Sequence, residues 1–146
     1  MRHGHSIWNA ENRFTGWVDV PLAEEGITKA VLAGERLKEK GFSFDVGYTS
    51  VLKRSIHTLD KVLDVLGESH IPVTKLWRLN ERFYGGLTGK NKKEMMEEVG
   101  EEQVHIWRRS ADVAPPKMDR DNQWHPRNDA RYAGIPADAL PDTEVK

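Results

Sequence analysis

Apolar residues recur along this chain at two spacings, and the alternation between the two predicts an α/β fold. Residues 22–40 place Leu22, Ile27, Ala30, Val31, Ala33 and Leu37 on one stripe of a helix, and Gly41 stops it. Ala23 stands where a Ser or Thr cap is expected, so this helix starts about 1 kcal/mol less favourably than it could. Over residues 42–50 the period changes. Phe42, Phe44, Val46 and Tyr48 alternate as in a short strand, and Thr49 or Ser50 is placed to cap the next helix. Residues 51–66 return to helical spacing, with Leu52, Ile56, Leu59, Val62, Leu63 and Leu66 on the buried face and Lys53, Arg54 and His57 in the first turns. Residues 72–79, carrying Val73, Leu76 and Leu79, read as a second strand, and residues 94–109 as a helical region broken near Gly100. Strand, crossover helix and strand predict a three-layer α/β/α domain with a mostly parallel sheet.

Two stretches follow neither period. Residues 7–20 hold Trp8 and Trp17 among Asn, Thr and Gly, the composition of a loop held against a scaffold. From Ser110 onward, five of the seven prolines lie between Pro115 and Pro141, so residues 110–146 read as a loop or lid segment within a single domain spanning 1–146.

Composition narrows the chemistry. Charged residues make up 31% of the chain yet leave a formal net charge of -1, so an anion site must be a local cluster, and neither nucleic acid nor an anionic membrane is indicated as a partner. The absence of cysteine excludes disulfides and thiolate metal sites and suits a cytoplasmic setting. No apolar run has membrane-spanning length, and no signal peptide is evident.

Several residues then stand out. His3, between Arg2 and Gly4, is a candidate nucleophile for a phosphoryl group: glycine leaves room for close approach, arginine supplies fixed positive charge, and a phosphohistidine divides one hard transfer into two. A three-residue motif also matches freely. Arg54 lies early in a helix that comes after a strand, where unpaired amide donors favour an anion; a solvated arginine would look the same. Glu81, with Arg82, Tyr84 and paired glycines after it, is a candidate acid/base station at the end of a strand, or an exposed ion pair. Lys90, Lys92, Lys93, Arg108 and Arg109 can cover an anion or face solvent. His3 and His5 share one face of an extended segment, but no nearby Asp, Glu or Cys completes a metal-ligand set.

Taken together these motifs closely resemble the cofactor-dependent phosphoglycerate mutases of the histidine phosphatase superfamily. The resemblance rests on Arg2-His3-Gly4 with Ser6, Trp8 and Asn9; on Asn12 through Trp17 with Asp19, Pro21 and Leu22; on Tyr48-Thr49-Ser50 with Leu52, Arg54, His57 and Thr58; on Leu79 through Arg82 with Tyr84 and Gly85; and on Trp107-Arg108-Arg109. It covers essentially the whole chain. It implies that His3 is the phosphorylated nucleophile and Glu81 the general acid and base. Arg2, Asn9, Thr15, Gly16, Arg54, Tyr84, Lys92, Arg108 and Arg109 would then bind phosphate and carboxylate groups. The implied reaction interconverts 2-phosphoglycerate and 3-phosphoglycerate in glycolysis and gluconeogenesis. It proceeds through 2,3-bisphosphoglycerate, which also primes the histidine, and needs no metal. The partners implied are small phosphoglycerates, with a homo-oligomer allowed. A bisphosphoglycerate synthase or phosphatase of the same superfamily, or a non-catalytic fragment that binds phosphate or associates, are the other readings.

Two substitutions depart from the family pattern, His5 for Glu, Gln or Asn and Phe83 for histidine. The ends depart as well. Only Met1 precedes Arg2, and the closing strand and helix of the sheet have no counterpart, so the resemblance implies a fragment lacking the first strand and a C-terminal part that carries a His-Gly-Asn segment. His57, His70, His105 and His125 do not occupy that motif.

Overall fold

The computed structural model describes residues 1–146, and it places one helical turn, α1 (Ile7–Ala10), inside the stretch expected to be loop. The first long helix, α2 (Glu24–Glu39), begins at Ala23, which makes no side-chain capping bond, as its sequence predicts. Its buried face differs from the expected stripe. Gly26, Ala30 and Gly34 are buried, whereas Ile27 is 40% exposed. The reason is close packing: a Cβ at Gly34 would lie 2.9 Å from the Val65 Cβ and 3.3 Å from the Val62 Cα, so only a small residue lets α3 (Lys53–Leu66) approach this near.

Contacts divide the chain into two units, Met1–Ala10 with Asp19–Asn80, and Glu11–Val18 with Glu81–Lys146. In the first unit, β1 (Gly47–Thr49) pairs in parallel with β2 (Val73–Lys75), Gly47 opposite Val73 and Thr49 opposite Lys75, and α3 forms the crossover. Both strands are shorter than expected. Phe42, Phe44, Val46 and Tyr48 are 38–63% exposed, Tyr48 opens to a different cavity from the other three, and the chain over 42–46 makes no ladder. Phe42, Phe44 and Val46 line, with Met1 and Leu37, an apolar groove of about 570 Å³. The expected second strand ends early because residues Trp77–Leu79 turn into a 3-10 helix. Ser50 does not cap α3 directly; its hydroxyl accepts from the Leu52 amide at 3.3 Å, and Leu52 becomes the N-cap.

In the second unit the interrupted helix resolves into α4 (Lys92–Val99) and α5 (Glu101–Arg109), separated by Gly100 at φ 92°. Asn91 caps α4, its side-chain oxygen accepting from the Lys93 and Glu94 amides. Phe14, Leu87, Met95 and Val104 form the buried core, with Tyr84, Met96 and Trp107 against it. Beyond Ser110 no α-helix or strand forms, yet the segment is tied down. The Glu144 carboxylate accepts from the Phe83 amide at 2.6 Å, the Met118 amide donates to the Asp142 carbonyl, and Thr143 donates to the Pro115 carbonyl.

His125, 2% exposed, is the polar centre of this segment. Its Nδ1 accepts from the Arg127 amide, so Nε2 carries the proton that reaches Asp142 Oδ1 at 3.0 Å. Arg120 first and His125 second hold the Asp142 carboxyl below the usual carboxylate range. A lowered folded-state pKa stabilises above the ordinary value and is lost as pH falls through the lowered one. Asp142→Ala strands the buried His125 N–H and is expected to cost on the order of 1–3 kcal/mol at neutral pH. In paired thermal melts the gap from the parent chain should narrow as pH falls below the carboxylate range; a gap that is constant with pH would remove the ionised pair from the account.

Candidate active site

In the first unit, the amino-terminal segment is fastened to the start of α2 by backbone bonds. The Ala23 amide donates to the His5 carbonyl at 2.9 Å, and Ile7 donates to Pro21 at 3.2 Å. This presents His3 beside the first turn of α3. His3 Nδ1 lies 2.6 Å from the Gly4 carbonyl oxygen. A carbonyl only accepts, so Nδ1 carries the proton and Nε2 is the acceptor nitrogen of the ring. Arg54, fully buried, directs its Nε at that Nε2 from 3.4 Å. The Gly4 amide donates to Thr58 Oγ1 at 3.0 Å, and Thr58 donates onward to the Arg54 carbonyl at 2.6 Å.

His3 and Arg2 open into a cavity of about 330 Å³ shared with Tyr48, Thr49, Ser50 and Thr58. The Thr49 hydroxyl is buried and has no hydrogen-bond partner within the protein. The Asn9 Oδ1 accepts from the Ser6 amide and hydroxyl at 3.0 and 2.9 Å, which leaves its NH2 group as the donor end of the side chain. The expected anion corner at the start of α3 is partly used by the protein itself, because the Lys53 amide donates to Asp19 Oδ1 at 2.7 Å.

The remaining expected residues belong to the second unit. The loop around Phe14 is pinned to residues 89–92: Phe14 donates to the Lys90 carbonyl at 3.0 Å, Gly89 donates to the Phe14 carbonyl at 2.7 Å, and the Arg13 Nε donates to Gly89. Thr15 is thereby buried with a hydroxyl that has no partner in the protein. Gly16, at φ 53°, lies against the backbone of Arg82 and Tyr84. The Glu81 carbonyl accepts from the Trp17 indole at 2.6 Å, which fixes the backbone that carries this half-buried carboxylate. Tyr84 lies against Phe14 and under the Arg82 guanidinium, 4.6 Å from its ring centroid. Arg82 also donates to the Arg108 carbonyl. Lys92 starts α4 and sits 5.6 Å from the Phe14 ring centroid; Arg108 and Arg109 end α5, the former half-buried and the latter exposed. No group of three or more His, Asp or Glu side chains is placed to hold a metal ion.

Three positions around His3 had no role assigned from the sequence: Thr58, Asp19 and Gly26. Thr58 and Asp19 stand within the motifs that carry the resemblance, but their partners lie 54 and 34 residues away and no local spacing reveals them. The signal for Gly26 is the run of small residues at 26, 30 and 34, four apart on one helix face.

A half-buried histidine whose Nε2 faces a buried guanidinium at 3.4 Å is an arrangement that suits an anionic group. Residues 1–140 match the model of the histidine phosphatase superfamily (branch 1), and the chain belongs to that family. It is 56% identical over 143 residues to a 2,3-bisphosphoglycerate-dependent phosphoglycerate mutase of Streptococcus thermophilus and 55% identical to one of Streptococcus pneumoniae. The match takes in 98% of this chain and 62% of either relative, so the chain spans about three-fifths of their length. Among solved structures, phosphoglycerate mutase from Bacillus anthracis superposes with TM-score 0.64 at 30% identity, covering 73% of this chain and 48% of that one. Bacillus stearothermophilus YhfR gives TM-score 0.67 at 33%, covering 82% and 56%. A mycobacterial glucosyl-3-phosphoglycerate phosphatase gives 0.64 at 29%, covering 78% and 51%.

Gly16 offers a check on the loop geometry. Its added Cβ would meet the Tyr84 amide nitrogen at an ordinary 3.4 Å, so the cost of Gly16→Ala should come from the left-handed backbone alone, about 1–2 kcal/mol. Denaturant titration should find that loss; an unchanged midpoint would mean that the backbone at 16 relaxes out of the left-handed region.

Proposed function

We propose that this chain carries phosphoglycerate mutase chemistry. In this reading it interconverts 2-phosphoglycerate and 3-phosphoglycerate through a phosphohistidine at His3, with 2,3-bisphosphoglycerate as the priming donor and no metal. The observation that supports it most is the pairing of a proton-bearing Nδ1 with an Nε2 facing Arg54. The Nε2 lone pair attacks phosphorus, the bond from phosphorus to the ester oxygen breaks, and the departing oxygen takes a proton from Glu81. In the reverse half, a substrate hydroxyl gives its proton to Glu81 and takes the phosphoryl group from Nε2. Arg54 supplies charge where the transferred group gains it.

Arg2 and Asn9 bind phosphate beside His3 in this reading, Arg2 from the same cavity and Asn9 through its NH2 group. Thr15 with its uncommitted hydroxyl, Gly16, Tyr84, Lys92, Arg108 and Arg109 bind phosphate and carboxylate groups of the substrate. A cytoplasmic glycolytic role accords with the reaction. Phosphatase activity is the second reading, favoured by the structural likeness to a phosphatase at TM-score 0.64.

Incubation of the folded chain with 2,3-bisphosphoglycerate is expected to leave an acid-labile phosphate on His3, read by mass spectrometry and absent from His3→Asn. Arg54→Gln should slow its formation by about 10²–10³. A folded, cooperatively melting chain that takes up no phosphate at His3 would sink the proposal for this polypeptide. Release of inorganic phosphate from 3-phosphoglycerate without isomerisation would replace the mutase with the phosphatase.

A further inference from the structure

We propose that Gly26 and Thr58 are positioning residues for His3, acting through the backbone of Gly4 and His5; the inference rests on reading His3 as the phosphoryl acceptor. The Gly4 carbonyl decides which imidazole nitrogen is nucleophilic, because it takes the Nδ1 proton at 2.6 Å. Whatever sets Gly4 therefore sets His3. Two groups do so from opposite ends of the residue. On its amide side, Thr58 Oγ1 accepts at 3.0 Å, and the hydroxyl is itself oriented by donating to the Arg54 carbonyl at 2.6 Å. Thr58 is buried and can hardly swing away.

On the other side lies the first turn of α2. A Cβ at Gly4 would stand 2.5 Å from the Gly26 carbonyl oxygen and 3.1 Å from its Cα, so the two glycines touch backbone to backbone. A Cβ at Gly26 would run into the His5 carbonyl oxygen and come within 2.8 Å of the His5 nitrogen. That same His5 carbonyl accepts the Ala23 amide, so the segment cannot yield without breaking a bond. The atoms nearest that Cβ are all backbone, with no flexible side-chain end to move aside. A methyl group there must push the Gly4 and His5 peptides off their seats and take the Nδ1 acceptor with them.

Gly34 is the internal control. It lies two turns along the same buried face, and its Cβ would crowd Val65 and Val62 without meeting the His3 segment.

The experiment uses the full chain, labelled with 15N, in four variants: Gly26→Ala, Thr58→Val, Thr58→Ser and Gly34→Ala. Two quantities are read, the tautomer of the His3 ring by NMR and the rate of His3 phosphorylation by 2,3-bisphosphoglycerate. Gly26→Ala and Thr58→Val are expected to lose the pure Nδ1–H tautomer and to phosphorylate about ten-fold or more slowly. Thr58→Ser, which keeps the hydroxyl, should restore both. Gly34→Ala should lower the melting temperature yet leave tautomer and rate at parental values. The proposal is overturned if folded Gly26→Ala and Thr58→Val keep the parental tautomer, or if Gly34→Ala disturbs His3 as much as they do. Should Gly26→Ala fail to fold, the contrast between Thr58→Val and Thr58→Ser decides for the clamp as a whole. If the parent chain takes up no phosphate, the mutase reading fails by itself, and the tautomer comparison still decides this one.

Discussion

A carbonyl oxygen can accept a hydrogen bond but never donate one, and the first unit is arranged around that asymmetry at Gly4. Its oxygen receives the Nδ1 proton of His3, its amide is spent on Thr58, and its Cα rests on Gly26. The three contacts draw on one loop and on single residues of two helices, Gly26 in the first turn of α2 and Thr58 on α3. Arg54 and Thr58, one helical turn apart on α3, serve the same end, since the threonine hydroxyl bridges the Gly4 amide and the Arg54 carbonyl. Which ring nitrogen carries the proton is thus set by a backbone carbonyl.

The second unit solves a different problem, that of ordering a proline-rich stretch whose only regular structure is short 3-10 turns. Prolines donate no backbone hydrogen bond, so the segment beyond Ser110 adds side-chain bonds and aromatic faces to its backbone bonds such as Met118 to Asp142 and Glu144 to Phe83. Tyr132 lies 5.0 Å from Trp17, which in turn meets Phe83 edge-on at 5.7 Å, and His125 meets Phe83 edge-on at 6.3 Å. Phe83 is completely buried there. A polar ring at 83 would need a partner that this aromatic cluster does not supply.

Much of the secondary structure was legible because helical spacing survives at the level of single residues. The break near Gly100, the stop at Gly41 and the uncapped start at Ala23 all arise from local chemistry. The misreadings share a cause. Ile27 looked buried because large apolar residues are assumed to face a core, yet the contact with α3 and with the His3 segment is too close for anything but Gly26, Ala30 and Gly34. The alternation of Phe42, Phe44, Val46 and Tyr48 predicted a strand that forms only over its last residues, because alternation becomes a ladder only where another strand lies alongside, and β1 meets β2 for three residues. As for the site, residues 3 and 54 are each open to a bland reading on local chemistry, and the family resemblance is what joins them. Their 3.4 Å approach joins positions 51 residues apart, a relation that no spacing rule contains.

That separation has a consequence for how the molecule comes into being. His3 is made before its neighbours in space, since Arg54 and Thr58 come 51 and 55 residues after it. At ordinary translation rates the loop waits on the order of 3–10 s before the helix that seats it has been synthesised. Through that interval the imidazole has neither its guanidinium neighbour nor the threonine that anchors the next residue. The nascent loop is therefore free to sample either tautomer and either face of the chain, and the imidazole gains its fixed setting only once α3 has formed beside it.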